Sequence, residues 1–133
     1  MKRFTFNTIA LFTTDNKKVV DFYCNIFGFE TGWNGIEPNV EMHLDGMRIL
    51  LFPREAIEEM TGNKFTYPTG INGTMEVSFD VPTFADVDKE YDRAVSMGAK
   101  PIMQPTTEPW GQRTCYVADP EGNLIEISSF VNE

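Results

Sequence analysis

One succession of patterns occurs twice along this chain, and that repetition limits the fold more than any other feature. Phe4 to Thr13 alternates apolar and polar residues as a strand does. Asp15 then stands as a helix N-cap, and Val19, Val20, Phe22, Tyr23 and Ile26 form the apolar stripe of a helix that reaches Phe27 and stops at Gly28. Val40 to Leu44 and Met47 to Phe52 flank Asp45-Gly46, a two-residue hairpin signal. A short helix over Arg54 to Met60 ends at Gly62, and Asn63 to Gly73 is a polar connector containing Pro and Gly. The pattern then resumes. Thr74 to Val81 alternates, Thr83 caps a helix with Asp86 in a capping-box place, and the helix runs through Val87, Tyr91, Ala94 and Val95 to Gly98. A short strand begins at Ile102, and a last hairpin turns at Asp119-Pro120-Glu121-Gly122-Asn123.

The two halves can be laid over each other in order. Thr8-Ile9-Ala10-Leu11 answers to Thr74-Met75-Glu76-Val77, and Phe27-Gly28 to Met97-Gly98. Asp45-Gly46 with Ile49-Leu50-Leu51 answers to Glu121-Gly122 with Ile125-Glu126-Ile127. Internal duplication is the simplest account. The expected class is α+β. One domain over residues 1–133 would comprise a first module (1–62), a connector (63–73) and a second module (74–133), and a chain of this length can bury a core of its own.

Charge and composition narrow the partners. A net charge of −9 argues against nucleic acid, because phosphate binding needs a basic face. The acidity serves solubility, or it marks a cavity that attracts cationic ligands. No apolar run approaches the roughly eighteen residues of a membrane span. The start, Met1-Lys2-Arg3-Phe4-Thr5-Phe6-Asn7, alternates at once rather than carrying the apolar region of a signal peptide, so no membrane partner is expected. Cys24 and Cys115 stand apart without metal-type spacing, and a reduced, cytoplasmic setting is expected. Cys115, on a strand, reads as a small core residue. The chain has no Gly-rich phosphate loop, Ser-His-Asp set or zinc pattern.

Strand alternation assigns side chains to faces. Ile9, Leu11, Met75, Val77, Phe79, Val81, Ile125 and Ile127 are placed under the helices. The Asp45-Gly46 turn sets His43 opposite Arg48, and directly opposed residues share a face. The helix-free face then carries Thr8, Glu41, His43, Arg48, Leu50, Thr74, Glu76, Ser78 and Glu126 among Phe6, Phe52 and Leu124. Glu126 is the one carboxylate in an otherwise apolar strand. A solvated sheet face has such a composition, and so does a lined pocket that mixes aromatics with both charge signs. Arg48 and Glu126 are candidates for an ion pair. Trp33, Phe65, Tyr67 and Trp110 fall in loops, where they can stack on a flat ligand or pack. Arg113 is a candidate anchor beside the Trp110 loop.

The paired βα halves, Asp21-Phe22-Tyr23 ahead of Phe27-Gly28-Phe29-Glu30, and Trp110-Gly111-Gln112-Arg113 ahead of Asp119-Pro120-Glu121-Gly122-Asn123-Leu124-Ile125-Glu126 resemble the vicinal oxygen chelate superfamily. That superfamily includes glyoxalase I, extradiol dioxygenases, fosfomycin resistance proteins and bleomycin resistance proteins. The resemblance covers nearly the whole chain. It implies two tandem βαβββ modules forming a half-open barrel with helices outside and a ligand cup inside, and it implies a homodimer. For the enzymes it also implies a divalent metal, held by His or Glu/Gln at positions that fall here on Thr8, Leu50, Thr74 and Glu126. Of these only Glu126 is a competent ligand, whereas a catalytic metal site usually takes about three. His43 with Glu41, Glu76 and Glu126 is a conceivable oxygen-rich substitute, but Arg48 beside it opposes a metal.

The expectation is therefore a protein without metal or other cofactor, in the manner of bleomycin resistance proteins. It would bind a small cationic or aromatic molecule through Thr8, His43, Arg48, Leu50, Thr74, Glu76, Trp110 and Glu126. The alternatives are a metal-dependent lyase or dioxygenase with an altered ligand set, and an interaction module whose cup its own side chains fill. The residues leave open whether any reaction is catalysed.

Overall fold

The computed structural model describes residues 3–133, which divide into two units between Thr66 and Tyr67. In the first, the order is β1 (Ile9–Thr13), α1 (Asn16–Phe27), β2 (Val40–Leu44), β3 (Met47–Pro53) and α2 (Arg54–Thr61). Asp15 starts α1 as expected, its carboxylate accepting from the Lys18 amide, and left-handed Gly28 ends it. The stripe Val19, Val20, Phe22, Tyr23 and Ile26 is buried. It lies over β2 and β3, where Val40, Met42, Ile49 and Leu51 are buried in turn. Each such side chain contributes roughly 1.5–3 kcal/mol when fully removed from water.

Asp45 (φ 48°) and Gly46 (φ 77°) both adopt the left-handed conformation that a two-residue hairpin of matching twist requires. The turn sets His43 opposite Arg48 and Glu41 opposite Leu50, as the sequence predicts. β1 joins β3 in parallel, giving the order β1-β3-β2. The first strand is shorter than its alternation promised. It starts at Ile9, not Phe4; its partner β3 begins at Met47, level with Asn7, and offers no backbone for the residues before that. Phe4 and Phe6 are exposed there. The third strand that the βαβββ pattern implies is absent from the named strands of this unit; between α1 and β2 there is one backbone bridge, Glu30 to His43, with both N–H···O distances 2.9 Å.

The second unit keeps the full βαβββ set: β4 (Asn72–Asp80), α3 (Phe84–Ser96), β5 (Lys100–Thr107), β6 (Arg113–Ala118) and β7 (Asn123–Ser129). Their order in the sheet is β4-β7-β6-β5. Thr83 and Asp86 form the predicted capping box. α3 covers β5, β6 and β7. Met75, Val77 and Phe79, expected beneath the helix, lie on edge strand β4 and are only half-buried. β5 starts earlier and runs longer than expected. Its register against β6 shifts after Pro101 and again before Thr106, irregularities that an edge strand tolerates and that accommodate residues without an N–H.

The Asp119–Asn123 turn is built from inside. Asp119 is buried and accepts from the Glu121 amide (2.9 Å), the Asn123 amide (3.0 Å) and Asn123 Nδ2 (3.1 Å). The connector, expected to be free of structure up to Gly73, docks on this turn. The Asn72 amide donates to Gly122 O at 2.7 Å and Asn72 Nδ2 to Asn123 Oδ1 at 3.0 Å, so β4 begins at Asn72. No helix among the described residues is long and apolar enough to cross a membrane.

Candidate functional site

Each unit gathers polar side chains on the sheet face that its buried residues leave free. In the first, Arg48 is the centre. Its Nε donates to Thr8 Oγ1 at 2.6 Å, Nη1 to Glu41 Oε1 at 3.1 Å and Nη2 to Asn7 Oδ1 at 3.2 Å. His43 Nε2 lies 3.6 Å from Glu41 Oε2. The sequence-predicted group Thr8, Glu41, His43 and Arg48 is thus one connected cluster, with Leu50 paired in register to Glu41.

In the second unit, Glu126 is half-buried and belongs to a different set of partners. Thr114 Oγ1 donates to its Oε2 at 2.8 Å and Ser78 Oγ reaches its Oε1 at 3.2 Å. The Tyr116 hydroxyl lies 3.5 Å from Glu126 Oε2 and 3.0 Å from Glu76 Oε1, and Ser78 Oγ is 2.5 Å from Glu76 Oε2. Two carboxylates on neighbouring strands therefore converge on the same two hydroxyls. Burial, reinforced by both carboxylates, pushes the Tyr116 phenol above its ordinary range, so it remains a donor at neutral pH.

Several expectations change here. Within the first unit Arg48 is held by Thr8, Asn7 and Glu41, and within the second Glu126 is held by three hydroxyls. Thr74 is exposed and takes no part in the cluster; its amide donates to Asn72 Oδ1. Trp110 is also exposed, its indole donating to Gln112 Oε1. Arg113 is an anchor, as its sequence position suggests, gripping Asp88 of α3 with Nε (3.0 Å) and Nη2 (2.7 Å). The overlay of the halves shifts as well. Ala10 pairs with Leu50 and Ser78 with Glu126, so the counterpart of Thr8 is Glu76, two residues before Ser78, rather than Thr74. Thr114 and Tyr116 were missed. The alternation in β6 could have found them: with Cys115 and Val117 inward, Thr114 and Tyr116 must share the face of Glu126.

The described residues do not fit a divalent metal at the places the resemblance gives. Leu50 has no donor atom, the Thr8 hydroxyl accepts from a guanidinium, and Thr74 is exposed. No three His, Cys, Asp or Glu side chains among the described residues are grouped to hold an ion.

Residues 5–127 match the description Glyoxalase/Bleomycin resistance protein/Dioxygenase superfamily. The chain belongs to that superfamily. Its α+β class and paired βα modules are those of the glyoxalase fold. The uncharacterized protein YraH of Bacillus subtilis (strain 168) is 31% identical over 122 residues, spanning 90% of this chain and 93% of YraH. A glyoxalase/bleomycin resistance protein/dioxygenase family enzyme from Burkholderia phytofirmans PsJN is 27% identical, with a TM-score of 0.81 over 94% of this chain and 98% of that one. A glyoxalase/bleomycin resistance protein/dioxygenase from Nocardioides shares the fold, with a TM-score of 0.81 and 23% identity over 98% of this chain and 86% of its own.

Against the glyoxalase fold, the cysteines divide by burial. Cys115 is fully buried beneath α3's side of the sheet, and burial pushes its thiol up to about 12. Cys24 is half-exposed on α1. Alkylation of native protein near pH 8, followed by mass spectrometry, is expected to label Cys24 and spare Cys115 until the chain is unfolded. The raised Cys115 value also has a signed consequence. The unfolded thiol ionises from about 9 upward while the folded one does not, so this group costs stability as pH rises from about 9 towards 12.

Proposed function

We propose that this protein binds a small organic cation through Glu76 and Glu126, without a metal. One observation supports this above the others: two carboxylates share Ser78 and Tyr116 as donors, and no Lys or Arg among the described residues is a partner of either. A hydroxyl carries a single proton. Ser78 can donate to Glu76 or to Glu126, and Tyr116 likewise, so the four contacts cannot all be hydrogen bonds at once. An ammonium or guanidinium brings several N–H donors and a compensating charge to the oxygens left over, and such charge-assisted bonds are the strong ones. The net charge of −9 favours approach of a cation from a distance. Within the superfamily's name, this reading stands with bleomycin resistance, a binding activity. It is completed by a homodimer in a reducing, cytoplasmic setting, which the free cysteines suit.

A thermal-shift screen checks the reading. Primary alkylammonium and arylguanidinium compounds are expected to raise the midpoint at concentrations well above Kd, by mass action on the folded state. Nickel, manganese and zinc are expected to leave it unchanged. A clear shift with one of these metals that disappears in Glu126→Gln would overturn the proposal in favour of a metal-dependent protein.

A further inference from the structure

We infer that Arg48 is the residue that bars a divalent metal from the first unit, by holding a permanent cation where the superfamily's metal ligands would converge. The inference rests on the metal-free reading above and gives it a cause. Thr8 and Leu50 are the two positions of this unit that the resemblance assigns to metal ligands. Arg48 lies two residues from Leu50 on the same strand and the same face, and its Nε donates to Thr8 Oγ1 at 2.6 Å. A metal ion bound to that oxygen at an ordinary coordination distance would sit within about 5 Å of the guanidinium.

The arginine is fixed there. Glu41 Oε1 and Asn7 Oδ1 take Nη1 and Nη2 at 3.1 and 3.2 Å, so with Thr8 three side chains from two segments orient the same group. A guanidinium is a standing cation in proteins and offers no lone pair to a metal. Glu41 offsets part of it, yet Glu41 is also the nearest carboxylate a metal could recruit, and Arg48 already occupies one of its oxygens. The unit therefore lacks a ligand at Leu50 and carries an opposing charge at Arg48. These are separable obstacles.

The separation gives the experiment. Nickel and zinc binding would be measured by calorimetry and by metal content after dialysis, on the intact chain and on four variants. Leu50→Glu supplies a carboxylate with Arg48 in place; Leu50→Glu with Arg48→Met supplies it with the charge removed; Leu50→Glu with Arg48→Lys restores a cation. Thr8→His with Arg48→Met gives a second route that leaves the half-buried Leu50 untouched should the Leu50→Glu chains fail to fold, which melting curves would reveal. The expected result is saturable metal binding in both Arg48→Met combinations, and binding about a hundredfold weaker or absent wherever a cation stays at position 48. Equal binding by Leu50→Glu with and without Arg48, or no binding in either Arg48→Met combination, overturns the role given to Arg48 and leaves the organic-cation reading standing. Metal bound by the unaltered chain and lost in Glu126→Gln overturns that reading instead.

Discussion

Replacing Gly122 by alanine is expected to cost about 3–5 kcal/mol and to lower the melting midpoint by roughly 10–20 °C. Two independent penalties combine at this position. Gly122 has φ 87°, which side chains other than glycine rarely adopt, and an added Cβ would stand 2.0 Å from Gly70 O and 3.0 Å from Gly70 C. Both neighbours are backbone atoms, so no flexible side chain can move aside. Any movement of residues 70–72 also breaks the Asn72 amide bond to Gly122 O. Gly62 is the control. It has φ 71° but open space around its Cβ direction, and Gly62→Ala is expected to cost only about 1 kcal/mol. Chemical denaturation of the two variants side by side measures the difference. Similar losses in both would mean that the connector does not dock on the turn.

The second large effect falls on binding. Glu126→Gln is expected to weaken an organic cation by about 2 kcal/mol, roughly thirtyfold in Kd, because it neutralises one of the two charges that face it. The same change should leave the ligand-free protein as stable as before or slightly more so. Glutamine keeps an acceptor for Thr114 and adds N–H donors that Glu76 can accept, and it removes the repulsion between like charges. Stability and affinity would thus move in opposite directions, a signature that a structural carboxylate does not give. Isothermal calorimetry paired with melting curves reads both. A midpoint lowered by several degrees with affinity unchanged would assign Glu126 to the fold and remove it from the site.

What the sequence disclosed follows from how local each signal is. The Asp45-Gly46 hairpin, the Asp15 cap and the Thr83-Asp86 box depend on a few consecutive residues, and all form as read. The turn fixed the first unit's register, so Thr8, Glu41, His43 and Arg48 could be grouped in advance. The second unit was harder because β4 changes register between Asn72 and Glu76, an irregularity without a sequence mark. The counterpart of Thr8 is Glu76, at the start of the regular stretch, and not Thr74. Matching threonine to threonine was chemically natural and geometrically two residues out. The contact of Gly122 with Gly70 was beyond reach, since nothing in either segment names the other.

The sheet order of the second unit bears on how it can be assembled. β7 is the last of its strands to be synthesised, yet it lies between β4 and β6. Until it arrives, β4 has no neighbour and the inner edge of β6 is unpaired, the state in which strands associate wrongly. The unit cannot grow strand by strand from its N-terminal side; it must close in a single late event that brings together segments far apart in the chain. Glu126 rides on the closing strand. Its carboxylate therefore meets Ser78, Thr114 and Tyr116 only when the sheet is whole.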